Sequence, residues 1–485
     1  GEPLVIKALA VLPASEGTKE QIGEVCTFTY QAPVTLDGYR LYFGQLHSHT
    51  NISDGAGTVE EAFTHASNVD NLDFLAVTDH SNSFDNESDA SVDLGADLLS
   101  SETSSEWVQG HKAAKDATKD DFVGLYGFEM TWSDGFGHIN TFNTPGFESR
   151  SNSEFGNKSG STEGYQNYYD KLVAVEDSLS QFNHPGTTFG DFQDFAFYDP
   201  QVDQRITLIE VGNGEGAIGS SGYFPSYEYY TRALDKGWHV APTNNQDNHK
   251  GNWGDSNTAR SVVLASGLTE EGIYDAIRNY RVYATEDNDL SILYSLNGNA
   301  MGSILNKQDT VEITAKISDP TDSGDMKVEV IVNGGLVLDS QTLTDGKDTV
   351  TFTFDSNDYS YYYLRVTQAD QNIAVTAPVW TGEGVNAGIS KTECDTALVV
   401  KGEEVTLSSE LYNNSGSAMT VQSVEFSVDG IEEPIYTANV SQIGTNGVIS
   451  SGGSYTVNFP YAFTQAGKAT VDVSMTATIG ETEYT

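Results

Sequence analysis

The chain has 485 residues, 38% of them hydrophobic and 11% aromatic, a globular composition with length for about three domains of ~150 residues. Lys and Arg number 24 against 70 Asp and Glu, a net charge of −46, so binding of nucleic acid or an anionic membrane by charge is disfavoured and phosphate chemistry needs local positive charge, from metals for example. Two cysteines, Cys26 and Cys394, exclude a disulfide-dense scaffold and a Cys-based zinc ribbon, and no apolar run is long enough for a transmembrane helix.

Residues 1–40 contain two candidate strands, at 4–11 and 24–30, read as an N-terminal β appendage. From Leu41 the pattern changes, and 41–47 reads as a strand. Across 58–69, Val59, Ala62, Phe63 and Ala66 recur at helical spacing, with Thr58 and Glu61 placed as a capping box. Residues 72–78 form an apolar strand, 101–119 is polar but helix-compatible, and 122–131 and 138–142 read as strands. A helix at 163–175, strands at 179–183 and 206–211, a helix at 226–236, a short strand at 239–242 and a helix at 269–280 follow. Strands alternating with helices over 41–290 predict a parallel sheet or (β/α) barrel. Beyond residue 290 the helical signals stop. Period-two runs at 311–317, 327–332, 336–338, 349–354 and 361–366, separated by turns such as Asn333-Gly334-Gly335 and Asp345-Gly346, predict a β-sandwich over 291–382. Gly382-Glu383-Gly384 reads as a linker with few contacts crossing it, and five further runs predict a second sandwich over 383–485.

All nine histidines precede residue 250, and six stand at predicted strand ends beside acids. They occur in His47-Ser48-His49 followed by Asp54, in Thr78-Asp79-His80, in His138 shortly after Glu129, in Asn183-His184-Pro185 and in Asp247-Asn248-His249. The C-terminal strand ends of a βα barrel share one face, so six His and three acids converge there. Imidazole and carboxylate donors without thiolate suit Zn, Mn or Fe in an open hydrolytic site, and one carboxylate can bridge two such ions. Asp79 reads as a group that orients a metal histidine or caps a turn. His65, His111 and His239 read as structural or solvent-facing, and Tyr361-Tyr362-Tyr363 as packing rather than sugar binding.

His47-Ser48-His49-Thr50, Ser53-Asp54-Gly55, Val77-Thr78-Asp79-His80, Asn183-His184-Pro185 and Asp247-Asn248-His249 resemble the metal motifs of the PHP (polymerase and histidinol phosphatase) superfamily, most closely its CehA/McbA branch of metallohydrolases. Arg260-Ser261-Val262, Leu268-Thr269-Glu270-Glu271 and Tyr283-Ala284-Thr285 resemble that branch too. The resemblance covers residues 41–290 and does not reach the β modules. It implies a distorted or truncated (β/α) barrel with two or three divalent ions, Zn, Mn or Fe. His47, His49, Glu129 and Asp247 would hold the first ion. Glu129 would bridge to a second, completed by His138 and His184. Asp54, His80 and His249 would hold a third, Asp54 standing where many members have histidine.

The activity so implied is that of a phosphoesterase acting on a small-molecule phosphomonoester or diester through a metal-bridging hydroxide. Asp247 would take the proton, and Arg260 would contact the phosphate or leaving group. Hydrolysis of a carbamate, ester or amide at the same metals is the alternative. A surface-binding or adhesion protein with a vestigial barrel is the third reading. The expected location is extracellular or cell-surface, after removal of a signal peptide.

Overall fold

The structure, a computed structural model, describes residues 4–12, 21–30, 35–36 and 38–485, apart from 89–91, 102–104, 133–134, 156–161, 322–323, 345–347, 382–386, 397–398, 414, 416–417, 430, 432, 445, 451–452, 466–468, 480–481 and 485. Secondary structure is mixed α/β with strand predominating. Strands Leu4–Leu12 and Gln21–Tyr30 pair as an antiparallel hairpin, as the sequence predicts for the N-terminal segment.

Strand Tyr39–Gln45 pairs in parallel with Phe74–Val77, which pairs in parallel with Val123–Tyr126. Every residue of the last two strands is buried, because helices pack over them. One is Val59–Ala66. Thr58 and Glu61 satisfy each other's backbone N–H groups at its start, and Val59, Ala62, Phe63 and Ala66 form its buried stripe. The other, Ser105–Ala117, comes close through Gly110, where a Cβ would lie 2.0 Å from the Tyr126 ring.

A second sheet holds Phe128–Trp132, Gly137–Phe142, Leu179–Asn183, Ile206–Asn213 and Ala241–Asn245 in that order. The first three run antiparallel and the last three parallel. The predicted single strand over 122–131 breaks at Gly127, where a Cβ would lie 2.4 Å from the Thr141 carbonyl oxygen. Two parallel bridges join the sheets, His80 to Glu129 and Ser48 to Asn248. Across them Glu129 N donates to Asp79 O (3.0 Å) and His49 N donates to Asn248 O (2.9 Å). The candidate metal residues stand at these joints.

The sequence pattern changes at residue 290, yet the sheet does not stop there. Arg260–Ala265 and Val282–Thr285 continue the first sheet antiparallel from Tyr39–Gln45 to Ile373–Thr376. One hydrophobic core accordingly runs from Leu46 to Trp380. Tyr361, Tyr362 and Tyr363 are all buried within it. Tyr361 and Tyr363 face helix Tyr227–Asp235, the Tyr361 hydroxyl donating to Asp235 (2.8 Å), whereas Tyr362 faces Phe354.

Residues 387–479 have a core of their own, around Leu411, Val424, Phe426 and Phe459. Ala387–Cys394, Glu404–Asn413 and Gly453–Ala462 form one sheet; Met419–Val428, Tyr436–Asn439 and Val471–Ile479 belong to the other. The predicted linker Gly382-Glu383-Gly384 lies outside the described residues. Contacts nevertheless cross to this module. Lys236 Nζ is 3.3 Å from Glu410 Oε2, and the Tyr412 hydroxyl bonds the buried Asp235 carboxylate, which also accepts from Gly334 N (3.0 Å). Among the described residues no helix is long and apolar enough to cross a membrane.

Candidate metal centre

The nine residues singled out as ligands fall into four overlapping groups, each with ligand atoms close enough to share an ion. His47, His49 and Glu129 form one, and His47, His184 and Asp247 another. Glu129, His138 and His184 make the third, and His49, Asp54, His80 and His249 the fourth. These side chains can therefore hold a metal ion.

Glu129, almost fully buried, is the centre. Its Oε1 lies 3.4 Å from His47 Nε2, 3.2 Å from His138 Nδ1 and 3.4 Å from His184 Nε2; its Oε2 lies 2.6 Å from His80 Nδ1 and 3.7 Å from His49 Nε2. Asp247 Oδ1 lies 2.9 Å from His49 Nε2 and 3.2 Å from His47 Nε2. Asp54 Oδ1 lies 3.2 Å from His249 Nε2 and 3.6 Å from His80 Nε2. Asp54 is 61% exposed, so the fourth group is the open end of the cluster.

Surrounding hydrogen bonds orient these rings. His47 Nδ1 faces Glu210 Oε1 at 3.0 Å, and that carboxylate also accepts from His184 N (2.7 Å), Asn245 Nδ2 (2.9 Å) and Asn213 Nδ2 (3.0 Å). This partner favours the His47 tautomer with its proton on Nδ1, which in the neutral ring leaves a lone pair on Nε2. Asp79 accepts from Thr50 N, Thr50 Oγ1, Ser53 N and Ser53 Oγ at 2.6–3.2 Å. Ser53 Oγ, its proton given to Asp79, accepts from His49 Nδ1 at 3.3 Å. His49 Nε2 then also carries a lone pair, 3.2 Å from that of His47. His249 Nδ1 donates to Asp247 O at 2.7 Å, turning its Nε2 toward Asp54. Asp79 is thus engaged by four donors and falls in none of the four ligand groups.

With both rings neutral, lone pairs converging on carboxylates repel unless a cation, a proton or a metal ion, lies between them. Three further atoms here are buried without a hydrogen-bond partner, namely His138 Nδ1, His184 Nδ1 and Asp247 Oδ1. Unsatisfied atoms of this kind cost about 1–3 kcal/mol each in a folded protein, and the donor set fits a divalent ion. The charges agree. Burial pushes the Glu129 carboxyl up, but His80, His138 and His47 outweigh it and hold its pKa well below the ordinary value. Burial acts on Asp247 in the same way and is overcome by His47 and His49. Burial lowers His47, but Asp247, Glu210 and Glu129 hold its pKa well above the ordinary value. At His49 and His138 burial prevails and the pKa falls. The carboxylates stay ionised and demand positive charge at the centre, whether from protons or from metal.

Two of these residues adopt left-handed backbone conformations, Asp247 (φ 48°) and His184 (φ 28°). Such positions cost non-glycine residues about 1–3 kcal/mol and concentrate at functional sites.

The structure places the remaining predicted residues elsewhere. Arg260 is almost fully buried, with Nε donating to Asn71 O (2.9 Å) and Nη1 to Ala259 O (2.8 Å) and Asn257 O (3.3 Å). Its guanidinium holds backbone and is not among the residues grouped at the centre, because its strand directs it toward the 71 and 257–259 loops. His65 faces Asp255 (3.2 Å), and His239 faces Asp203 (2.7 Å). His111 packs edge-on against Trp107, and burial lowers its pKa to about 4. Sequence reasoning missed Glu210. Its signal is an acid in the middle of the apolar run Ile209-Glu210-Val211, where a charge needs partners.

No family model and no curated protein matches the chain. Among solved structures it shows a likeness to red sea bream transglutaminase, at 11% identity and a TM-score of 0.19, covering 39% of this chain and 28% of that one. A likeness to the FN1–FN3 domains of chicken CNTN1 has 8% identity and a TM-score of 0.12, covering 47% of this chain and 96% of that one. Scores this low carry no argument about fold or activity.

Proposed function

We propose that this protein is a metal-dependent hydrolase of the PHP type, of the CehA/McbA-like branch, acting as a phosphoesterase. The observation that carries the reading is the buried Glu129 carboxylate, flanked at 2.6–3.7 Å by five imidazoles from four separate segments of the chain. The paired strands from Tyr39–Gln45 round to Ala241–Asn245, with bridges at His80–Glu129 and Ser48–Asn248, support a distorted (β/α) barrel.

His47, His49, Glu129 and Asp247 would hold one divalent ion, Glu129, His138 and His184 a second, and Asp54, His80 and His249 a third. Zn, Mn or Fe at these positions would supply a hydroxide near neutral pH and offset the repulsion between an anionic ester and a chain of net charge −46. Glu129 would be the ligand common to the first two ions, its Oε1 lying near His47, His138 and His184 and its Oε2 near His49 and His80. Glu210 and Asp79 keep His47 and His49 in the tautomer whose Nε2 faces inward. Asp247, held ionised by His47 and His49, would accept the proton of the attacking water. The four ligand groups contain no Lys or Arg, and Arg260 is spent on backbone carbonyls, so recognition of the phosphoryl group would fall to the ions.

A screen of the metal-loaded protein against p-nitrophenyl phosphate, bis-p-nitrophenyl phosphate and an aryl carbamate tests this. Turnover of a phosphate ester that depends on metal supports it. Turnover of the carbamate alone would assign the same centre to acyl rather than phosphoryl transfer.

A further inference from the structure

One aromatic side chain at the rim of the centre has no part in the mechanism above. Phe189 is 46% exposed, and its ring centroid lies 4.7 Å from that of His184 and 5.1 Å from that of His138. Exposure by itself means nothing, since isolated apolar residues are common on protein surfaces. Phe224 is more exposed still, at 60%. What sets Phe189 apart is that part of its ring rests on two imidazoles of one ligand group while the rest is open to solvent.

The backbone holds it there. Gly186 and Gly190 exchange hydrogen bonds in both directions (2.9 and 3.0 Å), closing a tight turn with Phe189 at its tip. Gly190 also pairs with Phe136, at φ 116°, and a Cβ on it would lie 2.0 Å from Gly135 O. Only glycine fits, so the base of the turn is clamped to the start of the strand that carries His138. The aromatic ring is therefore positioned in advance, which lowers the entropy lost on binding.

We infer that Phe189 is a substrate-contacting residue, and that the centre selects phosphoesters carrying a planar apolar group beside the phosphoryl group. This rests on the proposed phosphoesterase reading. The apolar group lies against the open part of the Phe189 ring while the phosphoryl oxygens face the ligand cluster.

The test compares phenylphosphonate with methylphosphonate, neither of which is hydrolysed, by calorimetric titration of the metal-loaded full chain. Wild type is expected to bind the phenyl compound about 10-fold more tightly, as an added aromatic contact predicts. Phe189→Ala should abolish that preference, leaving methylphosphonate affinity and metal content unchanged. Phe189→Leu, which keeps an apolar surface, should retain part of it. With p-nitrophenyl phosphate, Phe189→Ala should raise KM and leave kcat unchanged. Equal ratios in wild type and Phe189→Ala, parallel loss of both ligands, or no phosphonate binding would overturn the inference. A phenyl preference without hydrolysis of any ester would leave the inference standing and defeat the phosphoesterase reading. Hydrolysis without a phenyl preference would do the reverse.

Discussion

Replacing Glu129 with glutamine removes one negative charge and one ligand oxygen while leaving the side-chain volume almost unchanged. The carboxylate lies within 3.7 Å of five imidazole nitrogens and is shared by two of the candidate ligand groups. An amide offers one weak oxygen donor and no charge, so both ions lose affinity together. A change one layer further out typically costs 10–100-fold in metal affinity, so a shared inner ligand should cost at least ~100-fold per ion, about 2.7 kcal/mol each. Asn183 Nδ2 now donates to Glu129 Oε1 (2.8 Å) and can donate to an amide oxygen as well, so the fold should survive. The assay is metal stoichiometry after equilibrium dialysis against a buffered chelator, with thermal unfolding alongside. Glu129→Gln should lose the first two ions and retain at most the third, where the wild type retains two or more. Asp54→Ala, at the exposed end, should lose at most the third ion. Wild-type stoichiometry and affinity in Glu129→Gln would refute the shared-ligand reasoning.

Glu210→Gln should weaken metal binding about 10–100-fold without abolishing it, because an amide can still bond His47 but no longer fixes which nitrogen carries the proton; zinc titration measures this. Glu148 is buried and held by Leu94 N (3.2 Å), and burial raises its pKa to about 7. A carboxyl raised in the folded state contributes stability below its unfolded pKa and loses it as pH rises to the folded value, so Glu148 becomes destabilising between the ordinary carboxyl range and pH ~7. Glu148→Gln should accordingly raise the unfolding temperature at pH 8, corresponding to ~1–3 kcal/mol, and change little near pH 5; an equal shift at both pH values would contradict the burial argument. A chain ending at residue 382 should keep its metal and its turnover, but lose ~1–3 kcal/mol of stability with the Tyr412–Asp235 and Lys236–Glu410 contacts, read by denaturant unfolding.

The clustering of the six histidines and three acids was legible in the sequence because strand ends, turns and their acids are local features, and short motifs such as His47-Ser48-His49 and Asp247-Asn248-His249 keep their chemistry together. Helix Val59–Ala66 was legible for the same reason, through its reciprocal cap and its apolar spacing. What depends on distant partners was not. Glu210 acquires its role only when Ile206–Asn213 lies beside Leu179–Asn183 and Ala241–Asn245, which brings His184 and Asn245 to its carboxylate. The hold on Arg260 was not legible, because its acceptors, Asn71 O and Asn257 O, are backbone atoms that no side-chain pattern announces. The antiparallel pairing of Phe128–Trp132 with Gly137–Phe142 was foreseeable, since a parallel crossover needs about a dozen residues or more and this connection is far shorter. The sheet that crosses residue 290 was not, because the Val282–Thr285 pairing with Ile373–Thr376 joins segments far apart in the chain.

The most direct test of a metal-dependent phosphoesterase is the rate of p-nitrophenyl phosphate hydrolysis by chelator-stripped protein titrated with Zn, Mn or Fe(II). The stripped chain should be inactive, activity should appear as the first two equivalents per chain bind, and Glu129→Gln should stay inactive at the same metal concentrations. A hydrolysis rate that is the same in stripped and loaded protein, or full metal binding with no hydrolysis of this or any other phosphate ester, would contradict it.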